Sequence, residues 1–146
     1  MNQLRLTISE FWGGFKNIDG SPIVAFQSGY AWVMGKDARD NDAPVAPPFP
    51  YITYDLVRPD FGATTLTQAS IWNRRQQPGH FGLVDFVLTQ IQERIPHEGL
   101  LLQMDDGSGL VHLSRGAGNF IIYMGDPDDK LITRGIINLQ ITNFML

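Results

Sequence analysis

The alternation of apolar and polar residues in the last third of the chain predicts β-strands. Apolar, β-rich runs cover residues 99–104, 110–113 and 119–124, and a longer run extends from 131 to 146. The longest run has no proline and no acidic residue, and β-branched and aromatic residues recur along it. It therefore predicts a strand that is paired on both sides.

Two segments have apolar residues at helical spacing instead. The first, residues 3–16, carries Leu4, Ile8, Phe11, Trp12 and Phe15 on one stripe. The second, residues 80–95, carries Phe81, Val84, Leu88, Ile91 and Ile95. Gly13 and Gly14 are expected to end the first helix, and Pro96 the second.

Shorter β-patterns lie between these two helices. Residues 23–26 and 30–34 predict one or two short strands. Residues 51–57 and 65–72, separated by a turn at 58–62, predict an antiparallel hairpin. Glycine and proline turns then connect the later strands at 105–109, 115–118 and 125–129.

Residues 35–50 interrupt both kinds of pattern. Charged and amide residues cluster at 37–42, and four prolines follow between 44 and 50, so we expect an extended, mobile loop. The segment before it is too short to fold alone, so residues 1–146 are expected to form a single domain. The predicted fold is α+β: a largely antiparallel sheet, with a mixed sheet left open, covered on one face by the N-terminal and central helices.

Composition narrows the functional class. The chain has 146 residues, 43% of them hydrophobic, enough for a core without disulfides, and it has no cysteine. We expect a soluble protein, because no apolar run is long enough to span a bilayer and no leader pattern opens the chain. With 11 basic against 15 acidic residues the net charge is −4, and no basic cluster exceeds Arg74 and Arg75, which argues against tight nucleic-acid binding.

Catalytic chemistry has little support in the sequence. The histidines, His80, His97 and His112, lack metal-site spacing, and residues 105–109 resemble a calcium loop without its closing glutamate. No serine nucleophile elbow or phosphate-binding glycine loop is present. We therefore predict a protein that is not an enzyme and has no catalytic residue, cofactor or metal site.

One enzymatic alternative stays open. Asp60 follows a proline, and Asp128 and Lys130 form an acidic-x-lysine pattern, so the three residues together match the skeleton of a magnesium-dependent nuclease. In such enzymes the carboxylates hold the metal and the lysine orients the attacking water. Against this hypothesis, the two halves are far apart in sequence and both lie in predicted turns.

Aromatic and arginine residues at predicted strand ends suggest a protein interface instead. The candidates are Phe49, Tyr51, Trp72, Arg74 and Arg75. These residue types are enriched where one protein is buried against another. Any one of the aromatic residues is equally well explained as part of the core, so only the group predicts an interface.

Four segments occur in this order along the chain: residues 48–54, residues 71–74 before the second helix, residues 107–116 and residues 134–139. Together they resemble the pattern of tail terminator and tail completion proteins of tailed bacteriophages and prophages. The resemblance covers roughly residues 44–144. It implies a small subunit that forms a ring, usually a hexamer, at the head-proximal end of the tail tube, where the ring stops tube growth and docks the head connector.

The resemblance also implies partners and a location. The partners are further copies of the chain, the tail-tube protein and head-connector proteins, and the protein is made in the bacterial cytoplasm and located in the virion. DNA only passes through such a ring, so an acidic lumen that repels phosphate would be useful. The candidate lumen residues are Asp37, Asp40, Asp42, Asp126, Asp128 and Asp129. Another connector or baseplate subunit is the alternative within the same class.

Overall fold

The computed structural model of the chain describes residues 2–57, 62–74, 81–104, 106–115 and 120–145. Its helices are α1 (Asn2–Trp12) and α2 (Gly82–Arg94). Its strands are β1 (Val24–Gln27), β2 (Val33–Lys36), β3 (Asp42–Val45), β4 (Tyr51–Tyr54), β5 (Thr64–Arg74), β6 (Leu100–Gln103), β7 (Gly109–Arg115), β8 (Ile121–Gly125) and β9 (Ile132–Met145). The predicted α+β fold with an N-terminal helix is confirmed.

The long final strand organises the main sheet, whose order is β1-β4-β5-β9-β7-β6. β5 pairs with one edge of β9 along residues 132–142. On the other edge, β8 pairs with residues 133–137 and β7 with residues 139–145. The prediction of a final strand paired on both sides is therefore confirmed. These pairings are antiparallel, whereas β1 pairs with β4 in parallel, so the sheet is mixed.

Both helices cover one face of this sheet, which we call the helix-covered face. Trp12 of α1 stacks on Tyr54 of β4, with ring centroids 6.2 Å apart. At Gly135 of β9, an added Cβ would lie 2.5 Å from Val84 Cγ1 and 2.7 Å from Leu88 Cδ1 of α2. Glycine is therefore required there for the helix to approach the strand closely.

The core lies between the helices and the helix-covered face. Leu4, Ile8, Phe11 and Trp12 of α1 are buried, as are Val84, Leu88 and Ile91 of α2. The sheet contributes Ile52, Ala69, Ile71, Ile137, Leu139 and Ile141, which share this face because strand residues alternate between faces. Arg94 holds the ends of the two helices together, since its guanidinium carbon lies 5.2 Å from the ring centroids of both Phe11 and Phe15.

The prediction of an extended loop at 35–50 was wrong for residues 35–45. β2 and β3 form an antiparallel hairpin, in which Val33 pairs with Val45 and Lys36 with Asp42. The hairpin is a separate two-stranded sheet, which we call the β2–β3 hairpin. Gly35 permits it, because an added Cβ would lie 2.5 Å from Val45 Cγ2 across the pair. Proline is tolerated at Pro44 because this small sheet has only edge strands.

Candidate functional site

The other face of the main sheet is covered by neither helix, and we call it the open face. The strand register places one residue from each of five strands in a row across it. The row consists of Val24, Tyr51, Trp72, Arg134 and Met124. Val24 is 59% exposed and Met124 44% exposed, so both ends of the row reach solvent.

Planar groups stack along this row. The Trp72 and Tyr51 rings lie 6.3 Å apart at 21°, and the Tyr51 and Phe49 rings lie 5.3 Å apart at 32°. The Arg134 guanidinium carbon lies 4.5 Å from the Trp72 ring centroid. We call Phe49, Tyr51, Trp72 and Arg134 the aromatic ladder. Because Trp72 contacts Tyr51 and Arg134, its ring is held within the stack and is not a free platform for a nucleic-acid base.

Hydrogen bonds fix the ladder in place. The Trp72 Nε1–H donates to Thr53 Oγ1 at 2.9 Å, and the Arg134 Nε–H donates to Ser70 Oγ at 3.0 Å. Thr53 and Ser70 are themselves opposite each other on β4 and β5. The ladder is therefore a preorganised surface, which lowers the entropy cost of binding a partner.

The cation of the ladder is partly desolvated. Burial lowers the pKa of the Arg134 guanidinium, and the negative charge of Asp55 opposes this effect. Arginine nevertheless stays protonated. Within the described residues, no carboxylate lies within ion-pair distance of Arg134. Burial also raises the pKa of the Tyr51 hydroxyl, which keeps it neutral.

The structure brings together three of the five predicted interface residues, Phe49, Tyr51 and Trp72. Arg74 lies at the end of β5, and its Nε is 3.2 Å from Asp129 Oδ2. Arg75 lies outside the described residues. Sequence reasoning missed Arg134, although the alternation along β9 placed a lone arginine between apolar positions. The register with β5, which brings Arg134 beside Trp72, was not readable from sequence.

Five of the six predicted lumen carboxylates lie in two turns, and Asp42 is the first residue of β3. Asp37 and Asp40 lie in the turn of the β2–β3 hairpin, where Asp37 Oδ1 accepts hydrogen bonds from the Arg39 and Asn41 N–H groups. Asp42 forms an ion pair with Lys36 at 2.6 Å. In the turn between β8 and β9, Asp126 Oδ1 accepts from the N–H groups of Asp128 and Asp129. Several of these carboxylates thus stabilise their own turns.

The nuclease residues are only partly described. Asp128 and Lys130 are exposed in the turn between β8 and β9, and Asp60 lies outside the described residues. Throughout the described ranges, no three histidine or acidic side chains are grouped closely enough to hold a metal ion. His112 Nε2 is 3.0 Å from the Glu98 carbonyl oxygen, and His80 is also outside the described residues.

A cleft lies beside the start of α2, apart from the aromatic ladder. Phe81, Gly82, Asp85 and Tyr123 line it. The Tyr123 hydroxyl donates to Asp85 Oδ1 at 2.5 Å, and this hydrogen bond raises the pKa of Tyr123 to about 12. A hydroxyl with so high a pKa is a poor acid or base near neutral pH, so the pair is better suited to fastening β8 to α2.

Comparisons with protein-family models, curated proteins and solved structures found no match. Among the described residues, neither helix is long and apolar enough to cross a membrane.

Proposed function

We propose that this chain is a non-enzymatic virion subunit, a tail terminator that forms a ring, usually a hexamer, at the head-proximal end of the tail tube. The observation that carries the proposal is the open face with its preorganised aromatic ladder. A sheet that is covered by helices on one face and presents tryptophan, tyrosine and arginine on the other has the composition of a protein-binding surface.

A ring subunit needs two different, complementary surfaces, because each copy contacts two neighbours in head-to-tail fashion. The open face supplies one extended surface, and the β2–β3 hairpin supplies a separate one. A tail terminator also needs a surface for the tube and one for the head connector. We assign the aromatic ladder to one of these partners, since its aromatic groups and desolvated arginine are typical hot-spot groups.

The acidic turns fit passage of DNA through such a ring. The β2–β3 hairpin and the turn between β8 and β9 carry the six aspartates, and we propose that they face the lumen. Their carboxylates would repel the phosphate backbone and keep DNA from adhering. In this proposal DNA passes through the ring without specific binding.

The test is an assay of tube growth. Tail-tube protein from the same phage or prophage is polymerised with and without the purified chain, and tube lengths are measured by electron microscopy. We expect the chain to stop growth and to label one tube end only. Arg134→Ala should weaken this activity, whereas Ile18→Ala should not, because Ile18 is exposed outside the main sheet. Tubes that lengthen equally with and without the chain would contradict the proposal.

The alternatives have distinct readouts. Labelling at the baseplate or within the head connector would identify another assembly subunit. Magnesium-dependent cleavage of plasmid DNA that disappears in Asp128→Ala would favour the nuclease over any assembly role.

A further inference from the structure

A large part of the open face, away from the aromatic ladder, carries no charged side chain. The register places Leu66 and Gln68 of β5, Gln140 and Phe144 of β9, His112 and Ser114 of β7, and Leu101 of β6 on this part. None of the aspartate, glutamate, lysine or arginine residues occupies an open-face position on these strand segments. We call this part the uncharged surface.

The uncharged surface exposes three large apolar side chains among polar, uncharged ones. Leu66 is 70% exposed, Leu101 60% and Phe144 40%. The solvated face of an antiparallel sheet normally carries polar residues in place of large apolar ones. Depletion of charged residues is instead the mark of an interface centre. Asp55 marks the border, since it lines a shallow cleft with Leu66 and Gln68.

A second apolar surface lies on the β2–β3 hairpin. Trp32 and Met34 are 57% and 74% exposed, while Val33 and Gly35 between them are half-buried. Pro44 lies opposite Met34 on the same exposed side. Lys36 and Asp42 lie on this side too, next to Met34 and Pro44, and neutralise each other in an ion pair. An isolated hairpin with tryptophan and methionine exposed gains stability by docking.

We propose that the exposed side of the β2–β3 hairpin of one copy docks on the uncharged surface of a second copy. The two surfaces match in chemistry, since both expose large apolar side chains and neither would bury an unpaired charge. Along the chain the hairpin lies between β1 and β4, the two strands at one end of the main sheet order, whereas the uncharged surface extends from β5 to β6 at the other end. In a dimer formed by such a contact, one hairpin and one uncharged surface stay free. Further copies can therefore add until a ring closes. The inference rests on the ring in the proposed function and assigns its subunit contacts.

The absence of cysteine allows a direct test. Met34→Cys and Leu66→Cys are made separately, one chain carrying a tag, and the mixture is oxidised and separated on non-reducing gels. We expect mixed disulfide dimers, and the double variant should give a series of multimers that stops at the ring number. The matched control replaces Leu66→Cys with Phe86→Cys, an exposed position on α2. A mixture that gives no more dimer than this control would overturn the proposal.

A second measurement does not depend on cross-linking. Met34→Asp should weaken self-association, measured by sedimentation equilibrium, about thirtyfold, the effect expected for a hot-spot side chain. Ile18→Asp should leave it unchanged, and equal effects of both would count against the proposal.

The terminator function and the hairpin contact can be refuted separately. Cross-linked rings that do not stop tube growth would refute the terminator function alone, and tube capping without hairpin cross-links would refute the hairpin contact alone.

Discussion

At the scale of single residues, Gly135 and Arg134 were not chosen as site or core residues from sequence, yet each decides the packing on one face of the sheet. Both lie on β9, one on each face of the sheet. Their importance comes from neighbours that are distant in sequence: α2 in the case of Gly135, and Trp72 in the case of Arg134. The alternation along the sequence assigned them to opposite faces of the sheet. Only the structure showed that Gly135 contacts α2 and that Arg134 contacts Trp72.

Gly135→Ala should destabilise the protein by about 1–3 kcal/mol, the usual cost of overpacking a filled core. The added methyl group would overlap Val84 and Leu88 and push α2 away from the sheet. Urea unfolding gives the measurement. Gly125→Ala is the matched control on β8, where an added Cβ meets nothing within 4 Å, and it should change stability by less than about 0.5 kcal/mol. Equal effects of the two changes would show that α2 does not pack against Gly135.

The raised pKa of Tyr123 predicts that the stability of the fold decreases at alkaline pH. Its folded pKa is about 12, against 10.0 for the unperturbed group, because Asp85 holds the hydroxyl proton. The stability that this bond contributes is therefore fully present below pH 10 and is lost as the pH rises towards 12. Tyr123→Phe should remove this part of the pH dependence of unfolding. Ultraviolet titration of the wild type and of Tyr123→Phe gives the pKa of Tyr123 by difference. A value near 10.0 would contradict this prediction.

At the scale of elements, the long and strongly periodic segments were predicted well. Both helices and β9 have a stripe of buried residues, and these are the apolar residues whose spacing predicted the elements. The β2–β3 hairpin was missed because each strand has four residues and the pair contains glycine and proline. The hairpin is stabilised by packing of Val45 against Gly35 and by the Lys36–Asp42 ion pair. Both are contacts between strands, which the pattern of one strand alone does not predict.

Gly35→Ala should loosen the hairpin without unfolding the domain. The added Cβ would collide with Val45 Cγ2, while the main sheet and the helices share no strand pairing with this hairpin. We expect faster trypsin cleavage after Lys36 and Arg39, with an unchanged midpoint of global unfolding. Gly125→Ala, the same change at a position of β8 where an added Cβ meets nothing within 4 Å, is the control and should not speed cleavage. A lower global midpoint in Gly35→Ala would mean that the hairpin is part of the cooperative core.

At the scale of the whole molecule, sequence reasoning predicted the fold class and the helix-covered face but not the chemistry of the open face. Phe49, Tyr51 and Trp72 were chosen as an interface from their types, and the structure places them in one stack. The uncharged surface was not foreseen, because it is assembled from four strands whose residues are far apart along the chain. The tail terminator assignment stays a prediction that depends on how these surfaces are used between copies.

Salt dependence distinguishes contact through the uncharged surface from contact through the acidic turns. Association between neutral, apolar surfaces is not screened by salt, whereas pairing of the aspartate-rich turns with a basic patch weakens as the Debye length shrinks from about 10 Å at 0.1 M to 3 Å at 1 M. We therefore expect self-association, followed by sedimentation velocity, to hold or strengthen as sodium chloride is raised over this range. Asp128→Asn should leave it unaltered, because this carboxylate lies outside both docking surfaces. Dissociation at high salt would assign the contact to the charged turns and remove the hairpin from the subunit interface.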